Sequence, residues 1–212
     1  MSIQERWQEI VGWMQEHIPE VTETLREGAR AVDFAALEQR YGTLPLELYT
    51  LYGLNDGQED RAVVGPILGL PFLPLYRVVE EIESFAILLE EEPDYGTELE
   101  GESFPTGHVH LTYINLKRIP IADYGGGNFV GIDLDPDALG TCGQIINFGR
   151  DERNKYVLAK SLTEFLDFLD IALQAGKFEV VDFVSPFSTQ ALSWENTESK
   201  SLFNDWSEIF CR

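Results

Sequence analysis

Apolar side chains in the first part of the chain recur at the three- and four-residue spacing of amphipathic helices. A capping-box pattern that begins at Ser2 predicts the start of a first helix, and Pro19 predicts its end. The same spacing predicts a second helix over about residues 33–41. A short third helix is expected just after Pro45, followed by a turn at residues 55–57.

The hydrophobic pattern changes in the middle of the chain. Residues 62–77 are apolar and interrupted by proline and glycine, which favours short strands and turns over a helix. Residues 78–92 return to helical spacing, with apolar side chains on one face and glutamates on the other, and residues 93–107 predict a polar loop. Five runs bounded by turn residues then predict strands: HVHLTYIN, RIPIAD, FVGIDL, QIINFG and YVLAK.

The C-terminal part returns to helices. One helix is predicted over about residues 161–174, and FEVVDFV predicts one more strand. Residues 185–200 are predicted to be irregular, and apolar residues at helical spacing, among them Leu202 and Phe203, predict a last helix. Because no crossover helices separate the strands, this order predicts an α+β fold with a mainly antiparallel sheet between N-terminal and C-terminal helices.

The bulk composition narrows the class of protein. A hydrophobic fraction of 44% is typical of a globular protein, and no apolar run is long enough to span a bilayer. The N-terminal residues lack the pattern of a secretory signal, and the two cysteines, Cys142 and Cys211, form no disulfide-framework spacing. We therefore expect a cytoplasmic protein with free thiols.

Charge is the most distinctive feature of the composition. The chain has 15 basic and 37 acidic residues, a formal net charge of −22, which argues against nucleic acid and anionic membranes as direct partners. Residues 78–107 contain ten acidic residues and no Lys, Arg or His. Such a block is either a solvated helix face or a surface that binds a basic partner.

Residues 121–137, IADYGGGNFVGIDLDPD, contain two patterns that resemble ligand sites. The consecutive glycines are followed by a predicted strand rather than by the helix N-terminus that phosphate binding requires. Asp133, Asp135 and Asp137 resemble the start of a calcium loop, but the glycine and glutamate that complete such a loop are absent. We predict a hairpin turn and alternate aspartates on one solvated face, which leaves a weak cation site open.

Other candidate chemistry is equally incomplete. His108 and His110 would point the same way on a strand, as zinc ligands can, but no third ligand follows at an obvious spacing. The GESFP segment at residues 101–105 begins like a nucleophile elbow but ends in proline. The sequence therefore predicts no catalytic, cofactor-binding or metal-binding residue, and this favours a protein-binding function.

Three segments, residues 37–59, 119–135 and 143–169, together resemble the SUKH superfamily. This superfamily includes fungal regulators of cell-wall assembly and glucan synthesis and many bacterial immunity proteins. The resemblance implies a twisted, largely antiparallel sheet flanked by helices, without catalytic residues. The motif residues to which it assigns structural roles are Leu44, Pro45, Asn55, Gly57, Ile119, Pro120, Asp123, Gly126, Gly127 and Asn128.

The resemblance also divides the chain. It extends over roughly residues 3–174, so we expect a SUKH-like α+β domain over residues 1–176 and a C-terminal extension over residues 177–212 that packs on it. The acidic stretch at residues 90–107 and the extension depart from the family pattern.

Two non-enzymatic functions fit these features better than an enzyme whose active site the sequence does not reveal. The main hypothesis is an immunity protein that neutralises a basic, nuclease-type toxin domain by direct binding; the alternative is a regulatory or scaffolding protein of the cell-wall-assembly type. In both cases the partner is a protein, and an acidic surface would steer its association. The predicted contact residues are Glu80, Glu83, Glu90, Glu91, Glu92, Asp94 and Tyr95.

Overall fold

The computed structural model describes residues 1–98, 100–182, 190–194 and 206–210. Its helices are α1 (Ile3–His17), α2 (Pro19–Glu23), α3 (Ala35–Tyr41), α4 (Leu46–Leu54), α5 (Leu75–Glu91), α6 (Leu162–Gln174) and α7 (Trp206–Phe210). Its strands are β1 (Ser103–Phe104), β2 (Arg118–Asp123), β3 (Asn128–Asp133), β4 (Gln144–Gly149), β5 (Lys155–Ala159), β6 (Phe178–Asp182) and β7 (Gln190–Trp194). Single 3-10 turns lie at Ala31–Phe34 and Pro93–Gly96.

Five strands form one sheet in the order β1-β5-β4-β3-β2. The β1 strand runs parallel to β5, and the other three neighbouring pairs are antiparallel. Strands β6 and β7 form a separate antiparallel pair. The predicted α+β class with a mainly antiparallel sheet is therefore confirmed.

The core lies between the central strands and the helices packed around them. Every residue of β3 and β4 is buried, so both faces of the sheet centre are covered. The α1 helix buries Ile3, Trp7, Ile10 and Met14, and its Arg6 bridges to Asp167 and Asp170 on α6. None of the helices in the described residues is long and apolar enough to cross a membrane.

Capping residues mark the starts of α1 and α6. Ser2 and Glu5 form the predicted capping box of α1, and Ser161 accepts a hydrogen bond from the Glu164 amide at the start of α6. The α5 helix begins at Leu75, three residues before the predicted start at residue 78. The earlier start is explained by Asp56, whose carboxylate accepts the Leu75 backbone N–H at 2.9 Å.

Two segments differ from the predicted strands. Residues 108–115 contribute only an isolated bridge through Thr112, because the guanidinium of Arg118 binds the carbonyls of His110 and Thr112 and holds the segment as a loop. Part of the segment predicted to be irregular forms β7, which pairs with β6 so that Phe178 lies opposite Trp194. The rest of that segment, and the helix positions Leu202 and Phe203, lie outside the described residues.

Candidate protein-binding surface

Helix α5 separates an apolar side from an acidic side. Its buried side comprises Leu75, Val78 and Ile82, and the ring of Phe85 meets Phe129 of β3 edge-on at 5.7 Å between centroids. The amphipathic spacing places the glutamates on the opposite, outward side. The sheet thus holds α5 in one orientation and presents its acidic side to solvent.

The predicted contact residues lie together in one continuous segment. Four are on α5, Glu92 ends the helix, and Asp94 and Tyr95 occupy the 3-10 turn that follows. All seven are exposed: Glu80, Glu83, Glu90, Glu91, Glu92, Asp94 and Tyr95. We call this segment, residues 80–95, the α5 surface.

The charge of the α5 surface is compensated at one end only. Near the helix start, Arg77 forms ion pairs with Glu80 at 2.9 Å and Glu81 at 3.0 Å. In the part of the chain that the structure describes, Glu83, Glu90 and Glu91 make no ion pair. The last turn of α5 also contains no basic residue. The carboxylates without an ion pair therefore extend from the middle of α5, at Glu83, to its C-terminal end.

Apolar side chains lie among these carboxylates. Ile87 is 57% exposed and Leu88 is 39% exposed, although both belong to a helix with a well-buried apolar side. The ring of Tyr95 packs against Tyr113 at 4.8 Å between centroids. The sequence analysis did not identify Ile87 and Leu88 as surface residues. The signal was available, because helical spacing places both residues away from the predicted apolar face.

The glycine loop between β2 and β3 is a turn. Its glycines at positions 125, 126 and 127 have φ angles of 87°, 67° and 83°. The Asp123 carboxylate accepts the Gly125 backbone N–H at 2.6 Å, and the Asn128 side chain donates to the Gly125 carbonyl at 3.3 Å. The predicted hairpin is confirmed, and its polar side chains hold the backbone of the turn.

The N-terminal motif residues connect helices rather than form a site. Asn55 accepts a hydrogen bond from the Trp7 indole N–H at 2.8 Å and so joins the end of α4 to α1. Gly57 has a φ of 66°, and a Cβ at this position would lie 2.3 Å from the Pro74 nitrogen. This close approach brings the chain back to the start of α5.

The alternate aspartates do not share a solvated face, so that prediction is wrong. Asp133 is fully buried and accepts a hydrogen bond from the Gln144 side chain at 3.0 Å. Asp135 instead pairs with Lys117 at 3.1 Å. Burial raises the pKa of the Asp133 carboxyl. Among the described residues, no group of three or more His, Cys, Asp or Glu side chains is arranged to hold a metal ion.

A polar cleft of about 480 Å³ lies beside the glycine loop. The Tyr124 hydroxyl donates to Glu152 at its edge, and the Trp206 ring meets the Tyr124 ring at 6.0 Å between centroids. Lys155 lies beneath, 1% exposed, and donates to the Glu152 carbonyl. Burial lowers the pKa of Lys155 to about 7, but the ammonium is enclosed and its hydrogen bond is internal. These contacts support a structural role for the cluster.

Comparison with known proteins identifies fungal relatives. The family model of the SMI1 / KNR4 family (SUKH-1) matches residues 28–167. The chain is 32% identical over 188 residues to "Cell wall biosynthesis/cell cycle regulator smi1" of Schizosaccharomyces pombe, an alignment that covers 84% of this chain and 37% of that protein.

Two further relatives carry similar names. The "Glucan synthesis regulatory protein" of Neurospora crassa is 29% identical over 206 residues, which cover 82% of this chain and 39% of that protein. The "Cell wall assembly regulator SMI1" of Saccharomyces cerevisiae is 27% identical over 240 residues, with 97% of this chain and 48% of that protein covered. The chain thus matches less than half the length of these three proteins. Because the family model matches more than half of the chain, the chain belongs to the SMI1/KNR4 (SUKH-1) family.

Proposed function

We propose that this chain is a regulatory protein-binding module of the cell-wall-assembly type, which binds a basic segment of a partner protein through the α5 surface. The names of the fungal relatives, which refer to regulation of cell-wall assembly and glucan synthesis, support the regulatory part of the proposal. The module acts in the cytoplasm and without catalysis of its own. Its effect on the partner comes from occupying the partner's basic surface.

The observation that carries the proposal is the position of the charge on α5. Glu90, Glu91 and Glu92 lie at the C-terminal end of the helix, where the helix dipole is negative and disfavours carboxylates. Lys or Arg in the last turn would instead stabilise the helix. These glutamates therefore cost the fold stability, and binding of a positively charged partner removes that cost.

The apolar residues of the α5 surface fit the same function. Ile87, Leu88 and Tyr95 are exposed between carboxylates, which is the arrangement of apolar centre and polar rim found in protein interfaces. A few well-packed anchor residues, with Tyr among the most frequent, contribute most of the affinity in such interfaces, whereas rim charges mainly set the association rate. The α5 surface contains both classes of residue.

An immunity protein that neutralises a basic toxin domain would use the same surface. The acidic charge supports that alternative as well as it supports a regulator. The fungal relatives named above are regulators, and their names contain no reference to toxins. The regulatory function is therefore the one that we propose.

A chimera in fission yeast tests the function. The region of the S. pombe relative that aligns with this chain is replaced by this chain, and cell-wall glucan is measured against strains with and without the intact relative. We expect the chimera to restore wall synthesis. The same chimera with Glu83→Lys, Glu90→Lys and Glu91→Lys should not restore it, because the reversed charges repel a basic partner.

A matched variant controls for the change in net charge. Glu9→Lys, Glu16→Lys and Glu179→Lys alter three exposed glutamates away from α5 and should leave the chimera active. Full activity of the α5 variant would show that α5 is not the binding surface. Loss of activity in both variants would show that overall charge, and not this surface, is what matters.

A further inference from the structure

We propose that the groove between α3 and α5 is an anchor pocket that takes one apolar side chain of a basic, amphipathic helix of the partner. This inference rests on the proposed function, since it names how a basic segment would be held beside the α5 surface. The groove has a volume of about 320 Å³ and is an open concavity between the two helices. This volume is large enough to admit a leucine, methionine or phenylalanine side chain.

The groove is apolar at its floor and polar at its rims. Leu37 of α3 and Ile82 of α5 are buried, with exposures of 1% and 2%, and Val79 is half-buried beside them. Arg40 on one rim and Glu83 on the other are exposed. A side chain that enters the groove therefore meets aliphatic carbons below and charged groups at its entrance, as in protein interfaces with a central anchor.

Helical spacing makes the groove continuous with the acidic face. Val79 and Glu83 are one turn apart on α5, and Ile87 and Glu90 follow on the same stripe after one and two further turns. Glu83 thus belongs both to the groove and to the α5 surface. A ligand anchored in the groove extends directly along the uncompensated carboxylates.

This continuity defines the chemistry of the occupant. The helix in the groove needs an apolar residue in contact with the groove floor and lysines or arginines on the side that faces Glu83 and Glu90. An acidic or neutral amphipathic helix gains the apolar contact but lacks the complementary charge. The occupant is therefore a basic amphipathic helix, and not an apolar helix in general.

Three synthetic peptides of equal length test this inference on the full chain. The first is a lysine peptide with leucines on one helical face, the second has the same composition with leucines scattered, and the third has lysines only. We expect the first to bind about tenfold more tightly than the other two, because only it places a leucine in the groove. Equal binding of the first two peptides would overturn the inference.

Ala36 allows the groove to be blocked without altering the core. It is exposed and lines the groove, whereas its neighbour Ala35 is exposed and does not line it. Ala36→Trp should abolish the advantage of the leucine-faced peptide, and Ala35→Trp should preserve it. In the unmodified chain, the methyl resonances of Leu37 and Val79 should shift with the leucine-faced peptide only. Unshifted resonances, or an advantage that survives Ala36→Trp, would contradict the proposal.

The lysine-only peptide separates this inference from the proposed function. Its binding should be lost in the variant with Glu83→Lys, Glu90→Lys and Glu91→Lys, whatever happens in the groove. If that loss is seen but the leucine-faced peptide binds no more tightly than the other two, the groove proposal is wrong and the proposed binding by the α5 surface is retained. If charge reversal leaves the binding of the lysine-only peptide unchanged, the proposal that the α5 surface binds a basic segment is wrong. The groove proposal is then tested only by the difference in affinity between the leucine-faced and leucine-scattered peptides.

Discussion

Single residues in this fold are constrained by neighbours that are distant in the sequence. Gly131 lies inside β3, opposite Pro120 of β2 and Ile146 of β4. A Cβ at this position would lie 2.1 Å from the Ile119 carbonyl oxygen and 2.9 Å from the Phe148 ring. The sequence predicts the strand around Gly131, but it cannot predict this constraint, because the constraint depends on how closely the two neighbouring strands approach.

Replacement of Gly131 should therefore destabilise the protein. We expect Gly131→Ala to lower the free energy of unfolding by about 1–3 kcal/mol, since the methyl group must displace backbone and a packed ring. Gly12→Ala is the control: Gly12 lies in α1, a methyl group there would meet no neighbouring atom within 4 Å, and alanine should stabilise by about 0.5–1 kcal/mol. Urea denaturation measures the free energy of unfolding of both variants. Equal changes in the two variants would contradict the close packing of β2 and β3.

Burial of Lys155 makes the free energy of unfolding depend on pH. The folded chain releases its proton near pH 7, because burial lowers its pKa from 10.5 to about 7, whereas the unfolded chain keeps it until about pH 10.5. Between these values the unfolded state binds more protons, so the contribution of Lys155 makes stability rise with pH. Below pH 7 both states are protonated and the destabilising effect of burying the charge is complete.

The variant Lys155→Met should lack this dependence. As the pH rises from 7 to 10, the difference in the free energy of unfolding between the unmodified chain and Lys155→Met should shift in favour of the unmodified chain. Denaturant titrations at several pH values in this range provide the test. Parallel pH profiles for the two proteins would show that the Lys155 ammonium is not held in a desolvated position.

At the scale of elements, the sequence predicts those helices and strands whose boundaries depend on capping and turn residues nearby in the chain. The helices α1 and α6 begin at their capping residues, and β2 to β5 coincide closely with runs bounded by turns. Non-local partners decide the rest. Residues 108–115 alternate like a strand but are held by Arg118, and β7 pairs with β6, which is not evident from the pattern of residues 185–200. The groove was not predicted because it joins two helices separated in sequence.

Helix α5 provides a prediction at this scale. Its first turn is capped from outside the helix by Asp56, which also pairs with Arg26 at 3.5 Å. Asp56→Ala should destabilise the protein by about 1–2 kcal/mol, because the Leu75 N–H then lacks its acceptor. Asp56→Asn keeps an acceptor oxygen and should cost clearly less. Thermal unfolding of the two variants measures this difference. Equal losses of stability would show that the hydrogen bond to Leu75 contributes little.

At the scale of the whole molecule, charge dominates the behaviour. A net charge of −22 opposes compaction through self-repulsion and attracts basic partners over long distances. Added salt should therefore have two opposite effects: it should stabilise the free protein and weaken its binding to a basic partner. Composition alone predicts this pair of effects, but only the structure shows that several exposed carboxylates without an ion pair lie together on α5.

The most direct test of the central claim is quantitative capture of partners from extract of the cells that produce this protein. The bait is the unmodified chain, the variant with Glu83→Lys, Glu90→Lys and Glu91→Lys, or the control with Glu9→Lys, Glu16→Lys and Glu179→Lys. We predict that the unmodified chain and the control retain one stoichiometric partner with a basic segment, a protein of cell-wall synthesis or its regulation, and that the α5 variant loses it. Equal retention by the α5 variant, or a toxin domain as the retained partner, would contradict the account.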